Sequence, residues 1–137
     1  MADYSENMLK VCEEKFGTPS NVQMIQADIS SIPLENGSAD LCFCMRLFHH
    51  MDNDQLRLKA LKELARVSRR LVALSFYNHN LRFYRKKMLG KKIRGNFITY
   101  NHLVFLAKQA ELEPVERFPK VNFFTEQCLV IFKKMRA

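Results

Sequence analysis

A nearly continuous apolar run at residues 39–45, interrupted only by Asp40, constrains the fold more than any other feature of the sequence. A strand that is apolar on both faces needs cover on both faces, as in a parallel sheet flanked by helices. Residues 71–76 form a second such run, and leucines recur at helical spacing between the two. This order predicts a strand–helix–strand unit of an α/β fold, with residues 42–44 in the core.

Shorter signals extend this unit in both directions. Ser5 is a good N-cap for a helix that Gly17 is well placed to end, and residues 22–26 alternate as in a short strand. Thr99 is positioned to cap a later helix, and two apolar segments near the C-terminus predict a hairpin. The sequence therefore predicts an α/β fold with a mostly parallel sheet and an antiparallel C-terminal strand.

Length and cysteine usage narrow the class of protein. A chain of 137 residues makes one domain, and it contains no apolar run near the ~18 residues of a membrane span. The N-terminus lacks the basic and apolar regions of a secretory signal. Four cysteines occur without a C-x-x-C or a zinc-finger spacing, which predicts free thiols, no metal site and a reducing, cytoplasmic location.

Positive charge is concentrated in the middle of the chain. Residues 57–94 hold 13 basic residues and one acid, Glu63, whereas the N-terminal part is acidic. Within this region, residues 78–97 (the basic segment) interleave apolar and basic side chains. This pattern fits a lid or docking helix for an anionic or amphiphilic acceptor, a membrane-surface contact, nucleic-acid binding or simply a solvated face. The candidate substrate-binding residues are Arg82, Arg85, Lys86 and Lys87.

Two acidic residues are placed where predicted strands end. Asp3 precedes the first helix, and Asp28 follows the strand at residues 22–26. Ligands of open parallel sheets bind at the carboxyl ends of strands, where a carboxylate can accept hydrogen bonds from a ribose diol or an exocyclic amino group. Taken alone, Asp3 could equally be a charge at a helix N-terminus and Asp28 an ordinary loop residue.

Several blocks of the sequence, taken in order, resemble the class I S-adenosylmethionine-dependent methyltransferases, of the broad kind that includes the quinone-biosynthesis enzymes. The matching blocks are residues 2–9, 21–29, 32–34, 37–41, 47–51 and 61–67. The resemblance implies S-adenosylmethionine as cofactor and methyl transfer to an acceptor as the reaction. It also implies a Rossmann-like fold. Its cofactor-binding roles fall on Asp3 at the ribose, on Asp28 as acceptor from the adenine amino group, on Tyr4 and Ile29 beside the adenine, on Ala27 in the strand-end motif, and on Met45 and Arg46 near the methionine end.

His49 and His50 are the candidates for proton transfer, because histidine titrates near neutrality. The resembling family carries this pair whatever its substrate is, which favours a structural role.

The sequence departs from the family at its beginning. Its four glycines, at positions 17, 37, 90 and 95, do not form the Gly-rich loop that follows the family's first strand. We therefore expect residues 1–137 to form an N-terminally truncated, partial methyltransferase domain with residues 78–97 as an insert or lid. An inactive remnant that self-associates or binds a partner completing the sheet is one alternative. A basic module for nucleic acid or a membrane surface is another, although a small-molecule or amphiphilic acceptor is favoured over nucleic acid.

Overall fold

The computed structural model describes residues 1–17, 19–79, 81–92, 95–119 and 127–135, without the side chains of residues 81 and 82. It contains six strands and four α-helices within these ranges, and a 3₁₀ turn at Phe48–His50. The elements are β1 (Ala2–Asp3), α1 (Glu6–Phe16), β2 (Ile25–Gln26), β3 (Ala39–Cys44), α2 (Asp54–Val67), β4 (Ser68–Tyr77), α3 (Leu81–Met88), α4 (Tyr100–Gln109), β5 (Leu112–Phe118) and β6 (Gln127–Lys134).

The strands form two sheets. β1 and β2 pair in parallel, and the other four strands lie in the order β3-β4-β6-β5. β3 and β4 are parallel, whereas β6 is antiparallel to both β4 and β5, so three strands of the larger sheet share one direction. The predicted α/β fold with an antiparallel C-terminal strand is confirmed.

Helix boundaries follow the capping residues in the sequence. The Ser5 hydroxyl accepts a hydrogen bond from Met8 N–H, the Asn53 side chain caps α2, and Thr99 caps α4. Each cap satisfies one of the backbone donors that a helix leaves unpaired at its start. α2 and α4 pack beside each other on the larger sheet, and the core between them includes Leu61, Leu103 and Phe132, all fully buried.

The prediction of a core position for residues 42–44 is correct only for Cys44. Phe43 is 63% exposed, Leu41 is 50% exposed and Cys42 is half-buried. Among the described residues, β3 pairs with β4 alone, so its other edge is open. Cys42 and Cys44 face the core on the side where α2 packs, whereas Leu41 and Phe43 alternate with them and lie on the opposite face, which meets solvent.

The four cysteines are free, as predicted, and burial raises the pKa of Cys44 to about 12. Within the described ranges, none of the helices is long and apolar enough to cross a membrane.

Candidate cofactor and acceptor site

Asp3 and Asp28 lie at the same edge of the smaller sheet. Asp3 pairs in register with Gln26, and the Ala27 N–H donates to the Asp3 carbonyl at 2.9 Å, which places Asp28 just past the neighbouring strand end. One oxygen of Asp3 accepts from the Ser5 N–H at 2.8 Å. Both carboxylates are exposed, so they are available to a polar ligand at this edge.

The turn that follows Asp28 stabilises its charged form. The Ser30 N–H donates to Asp28 Oδ1 at 2.7 Å, and this hydrogen bond is the main reason why the pKa of Asp28 is lowered. Tyr4 is 74% exposed, whereas Ala27 and Ile29 are half-buried and Ile29 packs on the core. The structure thus brings together the five residues predicted for the adenosine side.

The other two predicted cofactor residues, Met45 and Arg46, follow β3 in the larger sheet, and both are exposed. Arg46 has φ 56°, a left-handed conformation that is uncommon for residues other than glycine. Its N–H donates at 2.8 Å to the hydroxyl of Ser75, a buried residue of β4, and this bond holds the turn. No strand pairing within the described residues joins this turn to the edge that carries Asp3 and Asp28.

The two candidate histidines differ in environment. His49 is 8% exposed and stacks on Tyr77 with ring centroids 4.4 Å apart, whereas His50 is exposed. Burial, followed by the charges of His50 and Arg46, lowers the pKa of His49. The His49 carbonyl also accepts from the Asn96 N–H at 2.8 Å. These contacts are those of a residue that anchors neighbouring segments.

An ion-paired network that the sequence patterns did not identify fixes the loop after Asp28. Arg66 donates to both oxygens of Glu63 at 2.8 Å, and it also donates to the carbonyls of Ile32 and Leu34. Glu63 in turn accepts from the Ile32 N–H at 2.9 Å. Both backbone groups of Ile32 are therefore held by α2, four residues after Asp28. Oppositely charged residues three apart on one helix face were the available signal.

This network predicts a pH-dependent stability. The hydrogen bonds from Arg66 are the main cause that lowers the pKa of Glu63 below its ordinary 4.5. The stability that the charged Glu63 contributes is therefore fully present above that value and is lost as the pH falls through the lowered pKa. At pH 7, Glu63→Gln should lower the free energy of unfolding by about 1–2 kcal/mol, and at pH 3.5 the difference from the unchanged chain should shrink. Urea denaturation at both pH values measures it.

Glu35→Gln is the matched control for that experiment, because Glu35 is an exposed carboxylate in the same loop. It should change stability by less than about 0.5 kcal/mol at either pH. A Glu63→Gln deficit that is the same at both pH values would contradict the role of the charged network.

The basic segment leaves the sheet and returns to it at one point. Asn78 forms a parallel bridge with Ile98, and the Ile98 N–H donates to the Tyr77 carbonyl at 2.9 Å, directly after β4. Near the return point, Gly95 has φ +86°, and a Cβ there would approach the Tyr77 ring to 3.2 Å. The chain therefore leaves the sheet after Tyr77 and rejoins it at Ile98.

Helix α3 carries the candidate substrate-binding residues of this segment. Arg85 and Lys87 are exposed and Lys86 is half-buried, whereas the Arg82 side chain is outside the described part of the structure. Phe83 attaches the helix to the base of the segment through ring contacts with His79 at 4.3 Å and with Phe97 at 4.7 Å between centroids. α3 therefore exposes Arg85 and Lys87, while Phe83 contacts the aromatic rings of His79 and Phe97.

The fold and the strand-end residues define the class of protein. The parallel β–α order of the chain closes with an antiparallel strand, and acidic residues lie at the end of β1 and just past β2, as the resemblance to class I S-adenosylmethionine-dependent methyltransferases implies. Residues 1–76 match the family model described as a methyltransferase domain, and the chain belongs to that family.

Solved structures give the same fold. An S-adenosylmethionine-dependent methyltransferase from Methanosarcina mazei aligns with 99% of this chain and 81% of its own, at a TM-score of 0.78 and 16% identity. Magnesium protoporphyrin IX methyltransferase from Synechocystis, crystallised with S-adenosylhomocysteine, aligns with 97% of this chain and 62% of its own, at a TM-score of 0.78 and 14% identity.

A curated relative from Mus musculus, tRNA (carboxymethyluridine(34)-5-O)-methyltransferase ALKBH8, is 29% identical over 97 residues. The match covers 71% of this chain and 14% of the relative, so the chain spans only a small part of that protein. The expected family and its cofactor, S-adenosylmethionine, are confirmed. These likenesses do not identify the methyl acceptor.

The described residues fit the adenosine half of that cofactor. Asp3 offers an oxygen, Oδ2, that has no hydrogen-bond partner among the described residues, and Asp28 is held in its charged form beside it. Ribose hydroxyls and an adenine amino group are donors that suit two such carboxylates. The turn at Arg46 follows the carboxyl end of β3, whose other edge is unpaired among the described residues.

Proposed function

We propose that the chain transfers the methyl group of S-adenosylmethionine to an anionic or amphiphilic acceptor that docks on the basic segment. The observation that carries the proposal is the pairing of β1 with β2, because it juxtaposes Asp3 and Asp28 at one sheet edge. The bound cofactor supplies an electrophilic methyl group on a sulfonium. The contribution of the chain is to bind the adenosine part, orient the acceptor and exclude water.

The cofactor roles are tested by calorimetry with S-adenosylhomocysteine. Asp28→Asn keeps a side-chain oxygen for Ser30 but removes the negative charge. We expect it to weaken binding about 10–100-fold, because it removes the charge that strengthens a hydrogen bond from the ligand. Asp28→Ala removes the turn contact as well and should weaken binding at least as much.

Asp40→Asn is the matched control, because Asp40 lies near the start of β3, far along the strand from its carboxyl end. Its affinity for S-adenosylhomocysteine should equal that of the unchanged chain. An equal loss in Asp28→Asn and Asp40→Asn would contradict a specific role of Asp28. Absence of binding to the unchanged chain at millimolar concentration would favour the non-catalytic remnant.

The acceptor class follows from the position and charge of the basic segment. It leaves the sheet directly after β4, at the carboxyl edge where ligands of such sheets bind. Cationic side chains beside the Phe83–His79–Phe97 rings suit an acceptor with an anionic group and an apolar part. The tRNA substrate in the name of the mouse relative makes RNA the second candidate, because phosphates would meet the same charges.

We further propose that the open edge of β3 pairs with a strand of another polypeptide. When no other protein is present, that strand comes from a second copy of this chain, so the chain self-associates. Leu41, Phe43 and Met45 alternate along β3 and are 50%, 63% and 43% exposed, so they form one apolar face. Near the smaller sheet, Met8 and Phe16 of α1 are 50% and 77% exposed. Unpaired strand edges beside exposed apolar side chains favour association, which would also cover the cofactor side of the sheet.

Phe43→Lys is expected to weaken this self-association at least 10-fold, since it places a charge in the apolar face and charged residues on an edge strand oppose edge pairing. Sedimentation velocity over a concentration series measures the effect. Phe105→Lys is the control, because Phe105 is similarly exposed, at 59%, on α4. Equal weakening by both variants, or a chain that stays monomeric at high concentration, would contradict the proposal.

A further inference from the structure

A cleft of about 440 Å³ opens between the first turns of α2 and α4. Asp54 and Arg57 line it from α2, His102 from α4, and His79 and Phe97 from the base of the basic segment. The Tyr100 N–H donates to the Asn78 side chain at 3.1 Å, which fixes the start of α4 at the end of β4. The cleft therefore lies at the carboxyl edge of the larger sheet.

An acid–histidine pair forms the polar wall of the cleft. Asp54 Oδ2 lies 2.6 Å from His102 Nε2, and Asp54 Oδ1 accepts from Arg57 at 2.8 Å. The Arg57 side chain, only 8% exposed, also donates to the Met51 carbonyl, so Asp54 is held rigidly. The hydrogen bond with His102 is the first cause of the lowered pKa of Asp54.

This geometry fixes the tautomer of a neutral His102. An anionic Asp54 can only accept, so the ring proton lies on Nε2 and the lone pair lies on Nδ1. His102 is 43% exposed, which leaves its ring accessible from the cleft. An imidazole oriented in this way by a carboxylate is a suitable proton acceptor.

A series of aromatic contacts joins the cleft to the end of β3. His49 stacks on Tyr77 at 4.4 Å, and Tyr77 lies 5.4 Å from Phe97 between ring centroids. Phe97 and His79 present their rings to the cleft, and Phe83 connects them to the basic helix α3. The cleft is therefore connected through ring contacts both to the 3₁₀ turn that follows β3 and to α3.

We propose that this cleft binds the acceptor as a planar ring bearing a phenol-type hydroxyl, with His102 taking the hydroxyl proton. The inference rests on the proposed methyl transfer. The proton passes to Nδ1 of His102, an oxygen lone pair forms the new bond to the methyl carbon, and the methyl–sulfur bond breaks with its electron pair left on sulfur. A phenol has a pKa near 10 and can transfer its proton to an imidazole, whereas an aliphatic alcohol is far less acidic.

Phenol itself is the probe, and anisole, which lacks the O–H, is its control. In ¹⁵N-labelled chain, phenol should produce saturable chemical-shift changes at the amides of Phe97, Thr99 and His102, and anisole should bind about 10-fold more weakly. His102→Gln and Asp54→Asn should each weaken phenol binding about 10-fold. Lys108→Gln, an exposed change in the last turn of α4, should have no effect.

Two results would overturn the inference: no saturable shifts at the cleft, or equal affinities for phenol and anisole. The probe comparison on the unchanged chain needs no variant, so it decides even if His102→Gln fails to fold. A melting temperature lowered by His102→Gln with phenol affinity unchanged would mark the Asp54–His102 pair as only a helix–helix contact. If phenol shifts the cleft amides but the chain does not bind S-adenosylhomocysteine, the result supports the cleft and contradicts methyl transfer. If the chain binds S-adenosylhomocysteine but phenol causes no shifts, the result contradicts only the cleft.

Discussion

Replacing Phe76 with alanine is expected to lower the free energy of unfolding by about 3–5 kcal/mol, one of the two largest effects we predict. Phe76 is 1% exposed on β4, in the core formed with α2, α4 and β6. Truncation removes a buried ring and leaves a cavity, because the surrounding structure relaxes only in part. Since whole domains are stable by about 5–15 kcal/mol, this loss should be visible in a urea or thermal unfolding curve.

Phe43→Ala is the matched control for Phe76→Ala. It makes the same chemical change on a neighbouring strand, but Phe43 is 63% exposed and should cost less than about 1 kcal/mol. The measurement is made at a concentration where the chain is monomeric, since Phe43 lies in the proposed association face. If the two variants lost equal stability, Phe43 would be buried in the isolated chain, and the exposed apolar face of β3 would be wrong.

The sequence was sufficient for most of the local structure of this fold. The predicted side-chain caps at Ser5 and Thr99 mark where α1 and α4 begin, and each makes its capping hydrogen bond. Apolar runs identified β3 and β4, although β4 extends to Ser68–Tyr77 and the strand expected at residues 22–26 is only Ile25–Gln26. These signals act within a few residues, so a local reading of the sequence captures them.

Features that depend on distant pairing could not be read in the same way. Phe43 belongs to an apolar run that is typical of a strand covered on both faces. Whether Phe43 is exposed depends on which element packs over its face of β3, and local sequence does not specify that element. The insertion of β6 between β4 and β5 is likewise a matter of pairing rather than of residue pattern.

The polar contacts of the site show the same limit. Arg66 reaches backbone groups about thirty positions earlier, and Asp54 meets His102 across 48 positions. Asp3 and Asp28, by contrast, were predicted together because each ends a strand, and the carboxyl ends of parallel strands meet at one edge. Among these long-range polar features, the one that follows from strand order was accessible from the sequence.

Reversing four lysines of the basic segment is expected to reduce binding to anionic vesicles by about 1,000-fold or more. Each lysine near an anionic surface contributes about 1 kcal/mol, so the loss of four gives about 4 kcal/mol before any added repulsion. The variant carries glutamate at the following positions: Lys86, Lys87, Lys91 and Lys92. Cosedimentation with vesicles containing about 30% phosphatidylserine would measure it, with thermal unfolding to show that the fold is retained.

The control reverses four lysines elsewhere, so both variants fall by the same amount from the net charge of +8. Its substitutions are at Lys15, Lys62, Lys108 and Lys134. A location-specific docking surface requires the first variant to lose far more binding than the control, because Phe83 fixes the basic helix at the strand end. Equal losses would mean that the vesicles respond only to overall charge.

Replacing the vesicles with tRNA over a salt series compares the two acceptor classes. If these lysines bind phosphates, the logarithm of the affinity for tRNA falls with the logarithm of the salt concentration, and the slope is smaller in the first variant.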